Sequence, residues 1–200
     1  MKIGIVDYNA GNLTSVKSAL NFIGADYVVS SSHNELMECD KLIFPGVGEA
    51  SWAMDQLSQR DLKRTMQDFK ESGKPILGIC LGSQIILDFS EESSTECLGL
   101  IPGKALRFPS DMGLKIPHIG WNTVVHNGKG IFKGIPENAS FYFVHSYYVK
   151  PLNERNIIGV TNYGIDFCSS VQFENITAFQ FHPEKSGEVG LQLLRNFAEI

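Results

Sequence analysis

The sequence predicts a three-layer α/β protein built on a mostly parallel sheet, with an antiparallel β extension in its second half. Three observations carry this expectation. Short apolar runs of strand length recur at 3–6, 26–30, 41–44 and 76–79. Segments with helical spacing lie between them, and glycine or proline marks most of the junctions. Brief strands with apolar residues at successive positions belong in a sheet covered by helices on both faces, as in parallel sheets joined by crossover helices.

Taken in order, "IGIV" (3–6) is the first strand, and "DYNAGN" after it is turn material. Leu13, Val16, Leu20 and Ile23 then recur on one helical face, closed by Gly24. "DYVVS" (26–30) is a second strand, and "SHNE" (32–35) has capping-box spacing for a short helix. "KLIF" (41–44) is a third, ending at "PGVGEAS" (45–51). Helical material follows, in which Ser58 and Asp61 are spaced as a capping box, Leu62, Met66 and Phe69 share a face, and Gly73 and Pro75 are stops. "ILGI" (76–79) is the fourth strand, Cys80 the turn, and "LGSQIILDF" (81–89) the next helix. Beyond Cys97, "KALRF", "FYFVHSYYV" and "DFCSSVQF" are β-like runs broken by Gly, Pro and Asn, which predicts antiparallel excursions. "ITAFQF" (176–181) returns as a strand, and Val189, Leu193 and Phe197 predict a final helix packed back on the sheet. With no repeat or low-complexity tract, residues 1–200 read as a single flavodoxin-like domain.

Composition narrows the function classes. A net charge of -5 with no Lys/Arg cluster argues against nucleic acid, whose phosphates demand a basic face. The four-residue apolar run before Asp7 is too short for a signal peptide, and no stretch approaches the roughly 18 apolar residues of a membrane span. The four cysteines are widely spaced, which predicts neither a disulfide framework nor a zinc site and fits a reducing cytoplasm. No cofactor motif is present, since both the Walker lysine and G-x-G-x-x-G are lacking.

The chemistry centres on "GICLG" (78–82), a G-x-C-x-G pattern. Flanking glycines let a strand turn sharply into a helix while the central side chain is held up in a strained conformation. Cys80 would then sit at a helix N-terminus, which favours the thiolate, with the Leu81 N–H aimed at an oxyanion. The alternative is a small buried structural cysteine. Of the five histidines, His182 is the favoured base because it follows an apolar strand and emerges at the carboxyl edge of a parallel sheet. Glu184, two residues on, would orient its imidazole. The bland alternatives are a structural histidine and a solvated carboxylate, and no second His/Asp/Glu pair at matching spacing supports a metal site. The acid follows the histidine, whereas an α/β-hydrolase places it before, so a different family is implied. "PGVG" leaves backbone amides unobstructed near Gly46 to Gly48, which suits a second oxyanion donor as well as a plain turn.

Together "PGVG", "GICLG" and "FQFHPEKSG" resemble the class I (triad) glutamine amidotransferases. A narrower likeness to a glutaminase subunit of that family rests on "DYNAGN", "PHIGWN" (117–122), "FVHSYY" (143–148) and "HPEKSG", so the resemblance spans essentially the whole chain. It implies hydrolysis of L-glutamine to glutamate and ammonia, with Cys80 as nucleophile, His182 as acid and base, and Glu184 holding the imidazole. It implies oxyanion donors at Val47, Gly48 and Leu81, and substrate contacts from Gln84, Glu92, Ser146 and Tyr147. It also implies a heterodimer with a (β/α)8-barrel cyclase that receives the ammonia, with Asn12, Trp121, Tyr142 and Lys185 facing it. Ser83 departs from the methionine usual in the family, which points to repacking or to a different partner surface. Two other readings stay open: a paralogue feeding a sugar-amidating partner in surface-polysaccharide synthesis, and a non-catalytic flavodoxin-like binding module in which Cys80 is structural.

Overall fold

The computed structural model describes residues 1–9 and 13–200. The first half alternates β1 (Lys2–Val6), α1 (Leu13–Phe22), β2 (Asp26–Ser30), α2 (His33–Met37), β3 (Lys41–Gly46), α3 (Ala50–Gln59), α4 (Leu62–Glu71), β4 (Ile76–Cys80) and α5 (Leu81–Ile85); the chain closes with α6 (Gly187–Glu199). The strands run parallel in the order β2-β1-β3-β4, and the Ile176–Phe179 strand extends this parallel set beside β4. Ile165–Phe173, Tyr147–Pro151 and Gly103–Arg107 then continue the same sheet antiparallel, as the second half of the sequence predicts. A separate two-stranded sheet pairs Ser140–His145 with His118–Thr123.

The pleat sorts side chains into two cores. Leu42, Phe44 and Ile76 pack with Leu57, Met66, Phe69 and Ile85 from α3, α4 and α5. Ile43, Leu77 and Ile79 pack with Val16 and Leu20 of α1 and Leu193 and Phe197 of α6. Alternate residues of one strand therefore serve opposite faces, which is why β3 and β4 are apolar throughout. Lys41 is a buried exception. Its ammonium donates to the carbonyl oxygens of Phe197 (2.8 Å) and Ala198 (2.8 Å) and to Ile200 (2.6 Å), satisfying carbonyls at the end of α6 that a helix leaves without partners.

Several local expectations are corrected. Ser32 is the N-cap of α2 by position, yet its hydroxyl caps nothing, and its own N–H is held by Ser30 Oγ at 2.9 Å. The helical stretch after "PGVG" is two helices. Ser58 Oγ bonds back to Met54, Asp61 adopts a left-handed conformation without a side-chain cap, and the true side-chain cap is Glu49 on Trp52 N. The helix expected over 81–89 ends at Ile85, because Leu98, Leu100 and Ile101 donate to the carbonyls of Ile85 and Ile86 that a longer helix would use. "FYFVHSYYV" is not one strand. It leaves the small sheet at His145 and enters the large one at Tyr147, so Ser146 and Tyr147 stand at the crossing point. Among the described residues, no helix is long and apolar enough to cross a membrane.

Candidate active site

Register brings the site together. Gly46 pairs with Cys80 and Phe179 with Ile79, so the loop after β3, the bend after β4 and the segment leading to His182 emerge side by side at the carboxyl edge of the parallel strands. Cys80 has φ 54 and ψ -113, a strained conformation for a residue with a Cβ. The glycines permit it. A Cβ on Gly82 would collide with the carbonyl oxygen of Phe44, and one on Gly46 would lie 2.5 Å from the Tyr8 hydroxyl and 2.8 Å from Gly82 N. Tyr8 is buried and donates to the Pro45 carbonyl (2.9 Å), bracing the start of "PGVG". Ser83 is fully buried and donates to the Cys80 carbonyl at 2.6 Å, so its departure from methionine is an internal change and not part of a partner surface.

His182 is fixed from several sides. Its Nδ1 is 2.7 Å from Glu184 Oε1, with the two side chains only 2% and 4% exposed. Its N–H donates to the Tyr142 carbonyl (2.9 Å). Ser186 Oγ donates to the His182 carbonyl (2.6 Å) and accepts from Tyr142 N (3.0 Å). Nε2 is buried with no hydrogen-bond partner of ordinary geometry among the described residues, and the Cys80 sulfur is the group that acts on it. Burial opposes charge on this ring, but the Cys80 sulfur and the Glu184 carboxylate outweigh it and raise the imidazole pKa to about 10. A pKa raised above the ordinary value of about 6.5 adds stability that is complete below that pH and lost as pH climbs toward 10. The urea midpoint of the protein is therefore expected to fall between pH 7 and 10 more steeply than that of His182→Gln. Parallel curves would contradict the pairing.

A cavity of about 290 Å³ opens at this edge, lined by Val47, Gly48, Cys80, Leu81, Gln84, Glu92, Pro117, Val144, His145, Ser146, Tyr147 and His182. Every residue expected in oxyanion or substrate contacts lines it, together with Cys80 and His182. Gln84 donates its amide hydrogens to the Tyr147 carbonyl (3.0 Å) and Gln180 Oε1 (3.0 Å). Glu92 accepts from Ala50 N (2.8 Å), and burial, opposed by that N–H and aided by the Glu49 charge, raises its pKa. Of the residues expected to face a partner, Trp121 is 59% exposed and lies opposite Tyr142 in the small sheet, ring centroids 6.2 Å apart. Lys185 is exposed three residues from His182, and Asn12 lies outside the described residues. Among the described residues, no group of three or more His, Cys, Asp or Glu is placed to hold a metal, and all four cysteines are free. Sequence reasoning missed Ser186 and Tyr8. Both sit inside quoted motifs, "HPEKSG" and "DYNAGN", where their hydroxyls were the available signal.

A cysteine raised on a strained strand-to-helix bend, beside a buried imidazole held by a carboxylate, is the apparatus of a cysteine-dependent amide hydrolase. Comparison with known proteins agrees. The family model for class-I glutamine amidotransferases matches residues 5–200. The imidazole glycerol phosphate synthase subunit HisH of Maridesulfovibrio salexigens is 47% identical over 98% of this chain and 96% of its own. That of Methanosarcina barkeri is 45% identical over 100% and 98%. Among solved structures, a glutamine amidotransferase aligns with TM-score 0.78 at 19% identity over 98% of this chain and 97% of that one. PurLQS from Thermotoga maritima aligns with TM-score 0.76 at 18% identity over 99% and 97%, and likenesses this remote speak to the fold alone. The chain belongs to the class-I glutamine amidotransferase family.

Proposed function

We propose that the protein is the glutaminase subunit of an imidazole glycerol phosphate synthase, acting in histidine biosynthesis as one glutaminase domain over residues 1–200. The observation that carries this reading is the full-length likeness to HisH subunits at 45–47% identity, which covers the triad and the partner-facing motifs alike. In the reaction, Cys80 Sγ attacks the side-chain carboxamide carbon of L-glutamine, forming a C–S bond and an oxyanion stabilised by the N–H groups of Val47, Gly48 and Leu81. His182 Nε2 delivers a proton to the nitrogen as the C–N bond breaks, releasing ammonia and leaving a thioester. The same nitrogen then takes a proton from water, whose oxygen displaces the sulfur and yields glutamate. Glu184 keeps the imidazole oriented throughout. Glu92, with one carboxylate oxygen on Ala50 N, has the other for the substrate ammonium, and Gln84, Ser146 and Tyr147 complete the grip on its charged end.

Ammonia is mostly protonated near neutral pH, so it must pass directly to an acceptor shielded from water. The receiver is a (β/α)8-barrel cyclase seated over Trp121, Tyr142 and Lys185, in a cytoplasmic heterodimer. The setting of the catalytic edge supports a coupled switch. Gly48 has φ +100 and nothing within 4 Å of the position a Cβ would take, which leaves "PGVG" room to turn an amide toward the oxyanion. Mixing the protein with the cyclase subunit of an imidazole glycerol phosphate synthase tests the proposal. Glutamine hydrolysis is expected to rise at least about tenfold when the cyclase carries its ligand; equal rates with and without it would refute the coupling, and failure to complement a histidine auxotroph would refute the assignment.

A further inference from the structure

From His145 in the cavity wall a hydrogen-bonded chain that the reaction does not use runs inward. His145 Nδ1 contacts the Tyr147 carbonyl at 2.7 Å. His145 Nε2 meets His118 Nδ1 at 2.9 Å, and His118 Nε2 meets Asn122 Nδ2 at 3.3 Å. Both ends of this chain have a fixed sense. The Tyr147 carbonyl can only accept, and Asn122 Oδ1 is occupied by Thr123 N at 2.8 Å, which turns its amide nitrogen toward His118. Each histidine must therefore be neutral with its proton on Nδ1, and every bond points from Asn122 toward Tyr147. Burial lowers both pKa values, to about 4 for His118 and about 3 for His145, where the Tyr147 carbonyl opposes the shift and the neighbouring histidines add to it.

The consequence falls on Gln84. Tyr147 O accepts from both His145 and Gln84, and the second amide hydrogen of Gln84 goes to Gln180. With both hydrogens committed, Oε1 is the one group Gln84 has left for the cavity it lines. We propose that His118 and His145 are positioning residues for glutamine binding: their directional chain pins the Tyr147 carbonyl, and through it sets the Gln84 amide with its oxygen presented to the substrate. This rests on the reading that the cavity takes glutamine.

His118 stacks between Tyr163 (centroids 4.0 Å) and Phe143 (4.9 Å), so His118→Phe keeps the packing and removes the bond to His145. The experiment compares glutamine kinetics of the full chain with its synthase partner for the parent, His118→Phe and His118→Asn, the last retaining a donor near the Nδ1 position. We expect KM to rise about fivefold or more in His118→Phe with kcat changed less than about twofold, and His118→Asn to recover most of the loss. An unchanged KM in His118→Phe, or equal losses in both variants, would overturn the proposal. Should the phenylalanine variant fail to fold, nitrogen-15 spectra of the unsubstituted protein decide: Nδ1–H tautomers at both histidines with coupling across the 2.9 Å bond are expected, and an Nε2–H tautomer at either would overturn it. The spectra need no substrate, so a parent that does not hydrolyse glutamine defeats the glutamine reading separately.

Discussion

Replacing Cys80 with serine is expected to reduce glutamine hydrolysis by on the order of 10⁴-fold or more and to make the fall of the urea midpoint between pH 7 and 10 shallower than in the parent. The reason lies in the pairing of sulfur with imidazole. The charged form of His182 is held up by the Cys80 sulfur and the Glu184 carboxylate against the cost of burial. A serine hydroxyl is a far weaker nucleophile and acid than a thiol, so the sulfur's share of that support disappears and the nucleophile is lost with it. Steady-state ammonia release measures the effect. A serine variant retaining a tenth of the activity would mean that the sulfur is structural, as in the binding-module reading.

The second large effect is on folding. Gly82→Ala places a methyl group against the Phe44 carbonyl, a backbone atom of β3 that cannot step aside without breaking the β3–β4 ladder. We expect a loss of about 3 kcal/mol or more in urea unfolding. Gly78→Ala is the milder comparison, because its Cβ would approach the Ala178 methyl at 3.0 Å and the Gly82 carbonyl at 3.3 Å. A midpoint for Gly82→Ala equal to that of the parent would show that the bend does not need its close approach.

The parallel half of the fold was legible because each strand there is a short run with an apolar centre and Gly or Pro marks several of the junctions, and Cys80 and His182 could be placed at its carboxyl edge because each directly follows such a run. What failed has common physical causes. The helix after Cys80 stops at Ile85 because residues 98–101 compete for its carbonyls, a tertiary event invisible in local spacing. The caps at Ser32 and Ser58 failed because Ser30 takes the Ser32 N–H and the Ser58 hydroxyl turns back to the Met54 carbonyl. "FYFVHSYYV" reads as one strand by alternation, but two sheets claim its halves, and the break at Ser146 is what delivers Ser146 and Tyr147 to the cavity. The substrate and partner positions came from family resemblance, since no periodicity marks Gln84 or Trp121. Ser186 and the His118–His145 chain went unseen because their roles consist of contacts between distant segments.

Turnover runs through covalent chemistry at one sulfur, that of Cys80. Acid quenching of the protein during glutamine turnover, followed by mass analysis of its peptides, is expected to find a glutamyl thioester on the peptide bearing Cys80. The same adduct on Cys39, Cys97 or Cys168, or turnover with no adduct when thioester breakdown has been slowed, would contradict it.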